Sequence, residues 1–197
     1  YDSGELPFMM RPMGKMMDAM IGPDFENGLA SLKAHVEEHA SMTKVDFGIE
    51  EVVIEPLSYL SITDSCVVAE IGTKSKEMFT KLGAYCGQNN ISISGSPFTF
   101  YHTWDGKSTV MEACFPTDEP ADGSEEISAK TMMAGNALKL VYKGDYADSE
   151  EAHMAMGEFA ETNGKEIIGS PWEVYLVGPM DTEDVNAFVT EIYYPIK

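Results

Sequence analysis

Apolar and polar positions alternate along the chain in two rhythms. Short runs with period two and many β-branched or aromatic residues predict strands: "EVVIEPLSYLSI", "TDSCVVAE", "PFTFYHTW" and "STVMEACFP", then "EISAKTMM", "NALKLVYKG", "PWEVYLV" and "AFVTEIYYP". Two longer runs carry helical spacing. "SKEMFTKLGAYCGQNN" places Phe79, Leu82, Tyr85 and Cys86 along one stripe, and "DSEEAHMAMGEFAETNG" places Ala152, Met156, Phe159 and Ala160 along another. Asp148 suits the N-cap of the second helix with Glu151 three residues on, and Gly164 suits its end.

These elements fall into two copies. "GSPFTFY" at Gly95–Tyr101 returns as "GSPWEVY" at Gly169–Tyr175, 74 positions later, and the offset holds backwards through the helices. Past the longer loop "GPMDTEDVN" the offset grows to 79, as between Glu112 and Glu191. Each copy reads strand–strand–helix–strand–strand. The expected fold is α+β: two β-β-α-β-β units, about residues 50–117 and 126–197, packed about a pseudo-twofold axis with a ligand cleft between them. The acidic stretch "TDEPADGSEE" connects the halves, and the module runs from about residue 42 to 197.

Charge narrows the set of partners. Thirteen Lys and Arg against 33 Asp and Glu leave a formal charge of −20, which repels nucleic-acid phosphates and anionic lipid. Cationic or neutral small molecules, or a basic protein partner, suit that field, whereas direct nucleic-acid binding and membrane association do not. No apolar run reaches the length of a membrane span, and no secretory signal pattern opens the chain. Cys66, Cys86 and Cys114 are odd in number and lack paired spacing, which points to a reducing cytoplasm and to neither a disulfide framework nor a zinc site. The start at Tyr1 reads as a portion of a longer reading frame.

The two copies differ where chemistry is concerned. The first has Thr99 where the second has Glu173. Alternation puts Glu173 and Tyr175 on one face of their strand and Trp172, Val174 and Leu176 on the other. The apolar set is expected to face the helices, with Phe98, Phe100, His102 and Trp104. That leaves Glu173, Tyr175, Thr99 and Tyr101 on an open, cleft-lining face. A carboxylate among aromatic rings loses hydration and attracts a cation, to which an aromatic wall adds about 0.5–2 kcal/mol. Alternatively, Glu173 is an exposed strand residue paired with a lysine such as Lys139. Glu112 and Glu191 recur in both halves as "VMEACFP" and "VTEIYYP", which suggests scaffolding, although Glu191 is also a candidate ligand contact. Phe188, Tyr146, Tyr142 and Tyr193 are candidate rim residues. His35, His39, His102 and His153 form no metal spacing, the i, i+4 pair His35 and His39 reads as a solvated helix face, and no cofactor motif or nucleophile triad order appears.

"GSPFTFYHTWDG", "ALKLVYKGDY", "GSPWEVYL" and "VTEIYYPI" together resemble the gyrase-inhibitor-like (GyrI-like), or AraC-type, effector-binding domain over about the last 155 residues. The resemblance implies the duplicated α+β fold and a cleft for drug-like, often lipophilic cationic molecules, with the family's buried carboxylate falling on Glu173. It implies a role in transcriptional regulation or drug sensing. Some stand-alone relatives look like hydrolases of cyclopropane-containing natural products, and under that alternative Glu173 is catalytic. "DFENGLASLKAHVEE" resembles the last helix of a START/polyketide-cyclase-like domain, so residues 1–41 are expected to be the tail of an upstream domain. Met9, Met10, Met13, Met16, Met17 and Met20 suit adaptable packing better than a soft metal site.

Overall fold

The computed structural model describes residues 47–197, so the expectations for the Met-rich segment and its START-like helix lie outside the described residues. The main elements are β1 Glu50–Ile54, β2 Leu57–Val67, α1 Ile71–Asn89, β3 Phe98–Trp104 and β4 Ser108–Pro116. They repeat as β5 Ser128–Met132, β6 Gly135–Lys143, α2 Glu150–Thr162, β7 Trp172–Val177 and β8 Val189–Ile196. The duplicated β-β-α-β-β order is therefore present. Within the first copy the strand division differs from expectation: the break falls at Glu55 and Pro56, and Thr63–Val67 continue β2 in register with Ser108–Glu112 of β4. Proline has no N–H to give a ladder, and it terminates β1 there.

The strands form one eight-stranded antiparallel sheet in the order β1-β6-β8-β7-β3-β4-β2-β5. The halves exchange their first strands, since β1 pairs with β6 of the second copy and β5 with β2 of the first. Residues 55–56 alone join β1 to β2, yet six strand spacings, roughly 29 Å on a flat sheet, would separate them. Two residues cannot reach that far. The sheet therefore curls until its ends approach. Its inner face holds a core of Tyr59, Phe98, Cys114, Ala137 and Trp172.

Both helices lie on the other face. Met78, Leu82 and Cys86 of α1 pack on Leu60, Ile62, Met111 and Ala113, while Ala152, Met156 and Ala160 of α2 pack on Leu138, Leu140 and Ile192. Tyr101 packs against the α1 cluster, which reverses the expected assignment of faces: Thr99, Tyr101, Glu173 and Tyr175 look toward the helices, and Phe98 and Trp172 look into the curl. The curl supplies an apolar environment for the second face that pattern alone does not reveal.

At the start of α2 the N-cap is Ser149, whose hydroxyl makes no capping bond and donates instead to the Tyr146 carbonyl at 2.9 Å. Asp148 belongs to a preceding 3-10 turn, Tyr146–Asp148, which Asp145 caps by accepting from the Ala147 N–H at 3.1 Å. The helix ends as expected at Gly164, whose φ of +65° lets the Lys165 N–H reach the Ala160 carbonyl at 2.8 Å.

The halves meet at β3 and β7, in the register Phe98↔Val174, Thr99↔Glu173 and Phe100↔Trp172. Thr99 and Glu173 are repeat equivalents, 74 positions apart. They are also direct cross-strand partners, so the pseudo-twofold axis passes between them.

Candidate functional site

Glu173 stands at that axis, on the helix-bearing face, and only 6 % of it is exposed. Its carboxylate collects donors from three elements. Tyr101 of β3 donates from its phenol to Oε2 at 3.2 Å, Tyr175 of β7 does so at 3.1 Å, and the two phenol oxygens are 3.3 Å apart. His153 of α2 brings Nε2 to Oε1 at 2.8 Å. The other ring nitrogen of His153 meets the Tyr194 phenol at 3.1 Å, so β8 fixes the imidazole in turn.

Aromatic rings extend from this centre. Tyr146 approaches Tyr175 edge-on at 5.5 Å and stacks on Phe188 at 5.1 Å, and Phe79 of α1 meets Tyr175 edge-on at 6.1 Å. Trp104 is 59 % exposed and touches the Tyr101 ring at 6.3 Å. Gly178 leaves room for this wall, because a Cβ there would stand 2.9 Å from the Tyr146 phenol oxygen. Burial, followed by the nearby negative charge of Glu173, pushes the Tyr101 phenol well above its ordinary pKa. The Tyr175 phenol is raised well above it too, by burial first and then by Tyr101 and Glu173. Burial and the same carboxylate raise Tyr146 and Tyr194 to about 12. These phenols stay neutral donors across the physiological range.

Of the residues singled out in the sequence, Glu173, Tyr101, Tyr175, Tyr146 and Phe188 converge, and Thr99 lies fully buried beside them on the axis. Glu191 does not join them. It pairs in register with Val174, hence on the opposite face, where it accepts from the Tyr193 phenol and from Lys139, each at 2.7 Å. One cleft cannot hold both carboxylates, and Lys139 is the partner of Glu191 rather than of Glu173. Glu112 is likewise on the inner face, bonded to Lys130 at 2.7 Å and His102 at 2.8 Å, with His102 bridging to Ser170 at 3.0 Å. Burial works against the Glu112 charge, but the bonds from Lys130 and His102 hold its carboxyl below the usual range. Two cavities of about 280 and 240 Å³ open on this inner face, beside Tyr59, Phe100, Trp172 and Glu112 and beside Phe98, Val174 and Tyr193.

His153 is a member of this site that strand and helix patterning does not single out. Its signal in the sequence is the repeat itself, because the 74-residue offset places it opposite Phe79, a stripe residue of α1. Its neighbour Tyr194 is likewise the counterpart of Phe115, at the offset of 79. In the first half Phe79 and Phe115 stack at 5.5 Å; in the second, a hydrogen-bonded His153–Tyr194 pair replaces two apolar rings. Polarity is thus concentrated on one side of the axis.

The duplicated fold with this site between its helices agrees with a family model described as the GyrI-like small molecule binding domain, which matches residues 49–197. The chain belongs to the GyrI-like family. Solved structures share the fold of this GyrI-like domain at low identity. EcmrR in its complex with DNA (EcmrR-RPo) gives a TM-score of 0.70 at 18 % identity, covering 100 % of this chain and 74 % of that one. The EcmrR C-terminal domain gives 0.64 at 21 %, covering 76 % and 96 %. A hydrolase encoded by lin2189 from Listeria innocua gives 0.57 at 11 %, covering 82 % and 97 %. SAV2435 bound to tetraphenylphosphonium gives 0.53 at 13 %, covering 76 % and 93 %. No curated protein sequence matches the GyrI-like chain. Among the described residues no helix is long and apolar enough to cross a membrane, and no group of three or more His, Cys, Asp or Glu converges on a metal position.

Proposed function

We propose that this GyrI-like domain is an effector-binding module for hydrophobic cations, with Glu173 as the charge-recognition residue and Tyr101, Tyr175, Tyr146 and Phe188 as the aromatic wall. The observation that carries the reading is a buried carboxylate whose hydrogen-bond partners are two phenols and one imidazole, with no Lys or Arg ion pair on it among the described residues. Such a group has lost hydration without gaining a fixed counter-charge, so a desolvated cation compensates it. Flat rings add cation–π attraction while tolerating different ligand shapes. That SAV2435 has been seen with tetraphenylphosphonium, and that EcmrR has been seen on DNA, supports a sensing role in which such a ligand is read by an attached regulator. Cys66, Cys86 and Cys114 are free and buried, in keeping with a reducing compartment.

Tetraphenylphosphonium titrated at pH 8.5 is expected to quench the Trp and Tyr fluorescence saturably. Glu173→Gln, which keeps the shape and removes the charge, is expected to weaken binding at least about tenfold, or roughly 1.4 kcal/mol. Equal affinity in the two proteins would remove Glu173 from recognition.

The His153–Glu173 contact favours one second reading, in which the pair acts as general acid and base on an electrophilic ligand such as a cyclopropane-containing natural product. The fold shared with the Listeria innocua hydrolase is compatible with it. Turnover of such a compound that disappears in Glu173→Gln would establish this chemistry, and its absence under saturating binding would leave the binding module.

A further inference from the structure

His153 is the one cation-capable side chain paired with Glu173 among the described residues, and it comes from within the fold. In the neutral ring Nε2–H donates to Glu173 and Nδ1 accepts from Tyr194. In the protonated ring both nitrogens donate, and the Tyr194 phenol turns to accept. The same heavy-atom geometry, 2.8 Å on one side and 3.1 Å on the other, serves both forms once the Tyr194 hydroxyl has rotated. The two forms differ in charge and in the direction of the Tyr194 hydrogen bond. With His153 neutral the site carries the uncompensated carboxylate, and with His153 protonated it is an internal ion pair. The counterpart position in the other half is Phe79, so this counter-charge exists on one side of the site only.

We propose that ligand binding here is a proton-for-cation exchange, in which protonated His153 neutralises Glu173 from within and a lipophilic cation binds as the imidazole releases its proton to solvent. This rests on the cation-binding reading above and adds its regulation. The groups facing His153 allow the exchange. Glu173 of β7 and Tyr194 of β8 contact its ring directly, Tyr101 of β3 and Tyr175 of β7 share the Glu173 carboxylate with it, and Glu150 lies one turn earlier on its own helix. The phenols remain neutral and so do not supply the exchanged proton, whereas an imidazole is the type of side chain that takes up or releases a proton near neutrality. Linkage then requires the cation to lower proton affinity at His153 by the same factor as the proton lowers cation affinity.

The test uses tetraphenylphosphonium, whose charge does not change with pH, on the intact chain. Between pH 8.5 and 5.5 its affinity is expected to fall, by at most tenfold per pH unit for one exchanged proton. Calorimetry at pH 6 in buffers of different ionisation enthalpy is expected to show proton release on binding. His153→Gln retains an amide donor for Glu173 and cannot protonate, so it is expected to bind at pH 8.5 and to lose most of the dependence between pH 8.5 and 6. Triphenylphosphine oxide, a neutral analogue, is expected to bind independently of pH. Tight binding with no pH dependence and no proton release overturns the exchange while leaving the cation-binding reading intact. The same slope in His153→Gln as in the parent protein also overturns it, because the proton would then reside elsewhere. No binding at any pH overturns both.

Discussion

Glu173 faces its own repeat equivalent across the β3–β7 ladder, so a copy that had kept glutamate at position 99 would oppose two carboxylates. Direct cross-strand partners have Cβ atoms about 4.5–5.5 Å apart, and in a buried site one of two such carboxylates must be protonated. Thr99→Glu is therefore expected to destabilise the protein by several kcal/mol at pH 7, of order 3–5 as for an uncompensated buried charge. The carboxylate forced to stay protonated has its folded pKa raised, so the variant should recover stability relative to the parent as pH falls toward 4. Urea unfolding at pH 7 and pH 4.5 measures both. The inner-face glutamate behaves in the opposite sense. The pKa of Glu112 is depressed in the folded state, so its contribution is present above the ordinary glutamate range and is lost as pH falls through the folded value. Lys130→Met is expected to cost about 1–3 kcal/mol at neutral pH and much less in acid, where Glu112 is protonated in both states. The Glu173/Thr99 contrast was legible in the sequence because the repeat supplied its own control. The separation of Glu173 from Glu191 was not, since both stand in strands and only the register puts them on opposite faces.

Strand and helix positions were readable from periodicity because each element buries one stripe: Met78, Leu82 and Cys86 in α1 and the equivalent Ala152, Met156 and Ala160 in α2. Which sheet face those stripes cover was not readable. In an ordinary two-layer fold the apolar alternation of Phe98 and Phe100 would point at the helices. Here the curled sheet encloses those rings, and the helices cover a face that includes Glu173 and two tyrosines. Pattern registers burial, and both faces are buried. The helix boundary offers a direct check. Gly164 closes α2 with a positive φ, and a Cβ added there would meet open space, so Gly164→Ala encounters only backbone strain. The expected cost is about 1–2 kcal/mol in thermal or urea unfolding, with ligand binding at Glu173 unchanged.

The described domain is held together by exchange as well as by packing. Since β1 completes the sheet of the second half and β5 that of the first, neither half contains all of its own edge. Fragments divided within 117–126 are expected to be unfolded separately by circular dichroism and to regain tetraphenylphosphonium binding when mixed. A fragment that folds and binds alone would contradict the exchanged topology. The phenols around the site set the alkaline limit. Tyr146 and Tyr194 lie near 12 in the folded protein, above the ordinary value of about 10, so their stabilisation is complete below pH 10 and is lost as pH rises toward 12. Phenolate absorbance and loss of folded signal are expected to appear together in that interval.

The placement of Thr99 and Glu173 on the axis has one more consequence. In a symmetric homodimer built from a single repeat, whatever residue occupies the twofold axis confronts an identical copy of itself, and no mutation can change one without changing the other. A lone carboxylate is forbidden at that spot by symmetry alone. Covalent fusion of the two units removes the prohibition, because the two positions become separately mutable in one gene. The single carboxylate at the axis, together with the aromatic pair on one flank and the polar pair on the other, is a property that a homodimer of one repeat cannot possess.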